Sequence, residues 1–156
     1  MRYDFGGGCR AFAYDDDITI VDIQTIYGND CIIDCPFGPE TKCKSDRYIM
    51  SDIFSKDLIL PEFSSFINVS MVLRYFAGPH EGYIKNEEID SERLKQVGYN
   101  IVKYMRHGGI VRLFDNMDVM EDVIQVLFQN NFKIISCDLV NPRDRDYAAE
   151  WEVILR

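Results

Sequence analysis

Three consecutive glycines, Gly6-Gly7-Gly8, follow the run Tyr3-Asp4-Phe5, and Gly6, Gly8 and Ala11 fall on the spacing G-x-G-x-x-A. Glycines so placed let the backbone turn tightly after a first strand and approach a bound anion, provided a helix follows with its N-terminus toward that anion. Folds that bind dinucleotides or methyl donors use this device. Here the strand before the glycines is very short, and the β-branched residues between Phe12 and Ile23 read as strand rather than helix. Asp15, Asp16 and Asp17 would also repel a pyrophosphate. The expectation is therefore a flexible turn or bulge and not a phosphate site.

Other residues could hold a metal or a reacting group. Asp15 and Asp17 would share one face of a strand and offer oxygens to a hard cation, but no calcium-loop pattern surrounds them. They read as a solvated strand end that discourages edge pairing. Cys31, Cys35 and Cys43, with Cys9 upstream, contain one pair at zinc spacing but lack the second tight pair. An odd total of five cysteines, with Cys137 in an apolar run, points to reduced thiols. His107 suits a helix C-terminus, and His80 lies in a Gly-Pro loop with no partner for nucleophilic catalysis nearby in sequence. No G-x-S-x-G element is present. Asp115, Asp118, Glu121 and Asp122 surround a helix start, where carboxylates cap exposed N–H groups. Asp115 is the acid to test first if the chain is an enzyme, since α/β sheets place ligands beyond the carboxyl ends of strands.

The elements that would position these residues change character near residue 60. Asp17–Tyr27 and Cys31–Asp34, joined across Gly28-Asn29-Asp30, read as a hairpin, with Ile18, Ile20 and Asp22 on one face. Pro36, Gly38 and Pro39 open a loop. Pro61 starts a predicted helix through Phe63, Phe66, Ile67, Ser70, Met71 and Arg74 that ends at Gly78-Pro79. Asp90 or Ser91 caps a second, striped by Leu94, Val97, Ile101, Val102 and Met105 and stopped by Gly108-Gly109. Ile110–Phe114 is a strand. A third helix carries Met120, Val123, Ile124, Leu127 and Phe128, and strands follow at Phe132–Val140 and Ala148–Leu155. The last two are expected to pair as an antiparallel hairpin, with Trp151, Val153 and Leu155 on one face. The fold class is α/β or α+β: one mixed sheet with an N-terminal antiparallel portion, helices on at least one face, and a C-terminal strand-helix-strand-strand unit. Residues 1–156 are expected to form a single globular domain.

Charge points to a partner. The chain carries 26 acids against 17 Lys and Arg, a net charge of −9. Such a field repels nucleic acid and anionic lipid and attracts cations and basic proteins. No apolar run reaches the length of a bilayer span, and the N-terminus lacks a secretory pattern, so the expected setting is the cytoplasm. On this basis the expected role is an acidic protein-binding module without a cofactor, of inhibitor or immunity type, neutralising a basic partner such as a nuclease toxin. Asp15, Asp16, Asp17, Asp22, Glu87, Glu88 and Asp90 would make the contacts, with Tyr14, Tyr27 or Tyr83 as anchors. The alternatives are a small α/β enzyme, methyltransferase-like or a hydrolase, resting on the glycines and the strand-helix-strand unit, and a zinc-stabilised interaction domain.

Overall fold

The structure, a computed structural model, describes residues 1–6, 18–23, 48–79, 82, 84–142 and 149–156. Strands β1 (Arg2–Phe5), β2 (Ile18–Asp22), β3 (Tyr48–Met50), β4 (Ser64–Ser70), β5 (Met105–Asn116), β6 (Ile134–Asn141) and β7 (Glu150–Leu155) form one seven-stranded sheet in the order β3-β2-β1-β4-β5-β7-β6. β1 runs parallel to β2 and β4, β2 to β3, and β4 to β5. β7 lies antiparallel between β5 and β6. Helices α1 (Leu73–Phe76), α2 (Ser91–Tyr104) and α3 (Met117–Gln129) complete the described elements, with a single 3-10 turn at Asn86–Glu88.

Alternation along the strands sorts the sheet into two unlike faces. Tyr3, Phe5, Val21, Ile67, Val69, Val111, Leu113, Val153 and Leu155 join Leu94, Val97 and Ile101 of α2 and Met120, Val123 and Leu127 of α3 in one apolar core. Full burial of each such side chain stabilises by roughly 1.5–3 kcal/mol. Gly98 lets α2 press on α3: a Cβ there would lie 2.8 Å from the Cβ of Val126. The opposite face carries a polar ladder. Asn68 donates to the Asp4 Oδ1 across 2.8 Å, and the Arg112 Nη1 donates to the Asn68 Oδ1 at 2.9 Å. Arg112 also donates Nε and Nη2 to the Glu152 Oε2 at 2.9 and 2.7 Å. Four strands are thus cross-linked at one level of the sheet.

The mixed sheet and the strand-helix-strand-strand unit match the expectation, and β6 and β7 form the antiparallel hairpin. The N-terminal portion does not. β2 is parallel to both its neighbours, so Ile18–Asp22 do not pair antiparallel as expected; the rest of the proposed hairpin, residues 17 and 24–34, lies outside the described residues. Interior parallel strands are covered on both faces, so β2 has a burial pattern that is not a clean alternation. The helix expected from Pro61 is instead β4 followed by the four-residue α1. Phe66, Ile67 and Val69 occupy a central strand, and a continuous apolar run satisfies helix and buried-strand patterns alike. α2 ends at Tyr104, before Gly108-Gly109, which fall within β5 where its register with β4 shifts between Ser64 and Phe66. Among the described residues no helix is long and apolar enough to cross a membrane.

Candidate functional site

β1 has β2 on one side and β4 on the other, so the order of connections reverses there. Open α/β sheets take ligands in the crevice beyond the carboxyl ends of the strands flanking such a reversal. In this chain Gly6 follows β1, Asp22 and Ile23 end β2, Ser51 to Phe54 follow β3, and Val72 follows β4; together with Phe76 of α1 they line one cleft. Its walls are mostly apolar, and its free space is about 10 Å³, the room of a single water.

Backbone geometry shapes this cleft. Gly6 has φ +68 and donates its N–H to the Val21 carbonyl at 2.7 Å, which closes β1 against β2. A Cβ at Gly6 would lie 2.9 Å from the Cβ of Val72, so the glycine is needed both for its conformation and for the approach of β4. Met71, just before Val72, has φ +55, a region that long side chains rarely adopt. The Met71 N–H is held by the Phe114 carbonyl at 2.8 Å. Backbone strain of this kind gathers at ligand sites. On the far wall Arg93 of α2 stacks 4.3 Å from the Phe54 ring centroid and donates its Nε to the Phe76 carbonyl, so one cation fixes two aromatic residues of the cleft.

Two acids belong to this edge. Asp22 is 6% exposed and lines the cleft. Asp4, two residues before Gly6, is fully buried; its Oδ1 accepts from Asn68, while its Oδ2 has no hydrogen-bond partner among the described residues. Burial raises its pKa to about 7, against the opposing pull of the Asn68 bond and of Arg112, and the nearby Asp22 pushes it further up. Asp115, singled out from the sequence, serves differently. Its Oδ2 accepts from the Leu73 and Arg74 N–H groups at 3.1 and 3.4 Å, and its Oδ1 from the Asn116 N–H at 2.8 Å. It caps α1 from another strand, supplying the acceptor that the N-cap Val72 lacks.

Four of the expected contact residues, Asp22, Glu87, Glu88 and Asp90, are among the described residues. Asp22 is buried at the end of β2. Glu87 and Asp90 are exposed beside the turn before α2, with Glu88 half-buried. Glu88 accepts from the Lys85 N–H, and Asp90 caps α2 by accepting from Glu92 and Arg93. Asp15, Asp16, Asp17, Tyr14, Tyr27, Tyr83, His80 and the four cysteines Cys9, Cys31, Cys35 and Cys43 lie outside the described residues. Among the described residues no group of three or more His, Cys, Asp or Glu side chains could hold a metal ion. Sequence reasoning passed over Asp4, although an acid between Tyr3 and Phe5 just before the glycines was a visible signal. It passed over Val72, Phe54, Phe76 and Arg93 because only the fold brings them to the β1 end.

No protein-family model matches the chain, and no curated protein matches it. Solved structures do. A S-adenosylmethionine-dependent methyltransferase from Clostridium acetobutylicum superposes with a TM-score of 0.65 at 11% identity, over 99% of this chain and 82% of that one. The N-methyltransferase NodS from Bradyrhizobium japonicum, in complex with S-adenosyl-L-homocysteine, gives 0.67 at 16% identity over 99% and 76%. A S-adenosylmethionine-dependent methyltransferase from Methanosarcina mazei gives 0.64 at 10% identity over 98% and 90%. The chain therefore has the α/β fold of these methyltransferases. This overturns the expectation of an immunity-type inhibitor of a basic toxin: the fold neighbours are enzymes with a small-molecule ligand, and the enzyme alternative fits them better.

Proposed function

We propose that this chain binds S-adenosylmethionine at the carboxyl edge of its sheet and acts as a methyltransferase. The observation that carries the reading is the pair of buried acids, Asp4 and Asp22, framing the Gly6 turn at the reversal of strand order, with the Asp4 Oδ2 without a partner among the described residues. A glycine turn at this place suits dinucleotides and methyl donors alike. Charge decides between them: two carboxylates oppose a pyrophosphate and favour a ligand that carries a sulfonium and an ammonium. Asp22, at the end of β2, is placed to accept from a ribose diol, as acids at that position do in nucleotide-binding sheets. Ile23, Ile53, Phe54, Val72 and Phe76 offer apolar contact for a purine. The Asp4 Oδ2 is an acceptor awaiting a donor such as an ammonium. When bound, the group supplies a methyl on an electrophilic sulfonium; the chain's part is to orient it and keep its positive charge company. The free space of a single water implies that Val72 and the aromatic wall must part to admit it. The reducing cytoplasm remains the proposed setting, as the five cysteines suggest.

Titration calorimetry tests this. S-adenosylmethionine and S-adenosylhomocysteine should bind, and NAD should not. Asp22→Asn should weaken binding at least tenfold, about 1.4 kcal/mol. Because a cation prefers the ionised form of Asp4, affinity should rise as pH passes upward through about 7. Binding of NAD alone, or of none of the three, would refute the proposal.

A further inference from the structure

The sheet ends in an edge that is poorly protected. Among the described residues β6 has a strand neighbour on one side only, and all but two of its eight residues are exposed. Ile134, Ile135, Leu139 and Val140 are between 44% and 55% exposed, an unusual density of large apolar side chains for an open strand. Beside it, a mostly apolar groove of about 290 Å³ runs between α3 and β6, lined by Met117, Ile124, Phe128, Ile134 and Cys137 over Val153, together with Glu121 and Gln125. Phe128 is itself 48% exposed. Groove and edge make one continuous apolar surface, the kind that marks an interface.

We infer that this surface joins two copies of the chain, β6 pairing antiparallel with β6 of the second copy about a two-fold axis. The open side of a strand offers alternating N–H and C=O groups, a ready template for pairing with another extended segment. Charge selects which segment. The chain carries −9, so two copies repel wherever their acids face. Residues 130–142 hold one cation, Lys133, and one anion, Asp138, for a local charge of zero. Two like-charged molecules meet at least cost along this neutral edge. A two-fold axis normal to the sheet keeps the helices of both copies on the same face, so the two grooves adjoin across the axis and Phe128 and Ile134 are covered with the strand. The opposite edge, β3, is three residues long and offers far less to pair.

Sedimentation equilibrium of the full chain tests this, together with hydrogen exchange of the β6 amides. The expected mass is twice the 18.2 kDa of the chain, and the β6 amides should gain protection as concentration rises. The single variants Ile135→Lys and Leu139→Lys alter exposed side chains; each should return the mass to that of one chain with the circular dichroism unchanged. A monomer at every concentration overturns the inference, as does a dimer that survives both substitutions or leaves the β6 amides unprotected. It stands or falls independently of S-adenosylmethionine binding.

Discussion

Asp4 near the end of β1 and Asp115 near the end of β5 are both wholly buried and both have a raised pKa, to about 7 and about 6. Their surroundings differ. Asp115 receives three backbone N–H groups, and its carboxylate is what holds α1 against the sheet. Among the described residues Asp4 receives one side-chain amide and keeps an oxygen without a partner. Desolvation heads the causes of both shifts, yet only in Asp115 do backbone donors compensate on both oxygens. A buried acid that is fully satisfied is part of the scaffold. One with an oxygen unsatisfied among the described residues, two positions before a glycine turn, is a cost that the described fold does not explain, and a bound ligand would account for it.

Three measurements would break or sharpen this contrast. Asp115→Ala strands three buried donors and should cost on the order of 4 kcal/mol in denaturant unfolding. A loss below about 1 kcal/mol would remove Asp115 from the scaffold. Gly6→Ala adds a Cβ where φ is +68 and Val72 is close, and should cost about 3 kcal/mol. Val72→Ala in the same chain should recover part of that loss, and strict additivity of the two would show that they do not meet.

The smallest effect is the most diagnostic. Asp4 binds its proton more tightly folded than unfolded. Stability should therefore be highest near pH 4, decline as pH rises toward about 7, and carry the full penalty above that. Asp22 and Arg112 are the charged groups acting on it. Asp4→Asn keeps an acceptor for Asn68 and carries no charge. Thermal melts should show it more stable than the wild type at pH 8, on the order of 2 kcal/mol, with the gap closing by pH 4. A variant less stable at pH 8 would make Asp4 a scaffold residue like Asp115.

Much of the C-terminal half was legible in the sequence. The cap at Asp90, the stripe of α2, the clean period of α3 and the β6–β7 hairpin are local features, set by spacing of apolar residues and by turn chemistry within a few positions. The N-terminal half was legible only in part. β2 read as a strand from its β-branched residues, but its parallel neighbours lie far along the chain, and the apolar run of β4 carries no period that separates strand from helix.

What the chain's text settles by itself is composition and charge: a net −9, and three consecutive glycines after Tyr3-Asp4-Phe5. Charge alone, however, led to the wrong partner, because it does not say which acids face solvent. Only tertiary structure decides that Asp4 and Asp22 are buried at a reversal of strand order while Glu87 and Asp90 remain exposed on a turn. Burial turns a solvated carboxylate into an acceptor that must find a partner, and burial is a property of long-range packing that no short window of sequence contains.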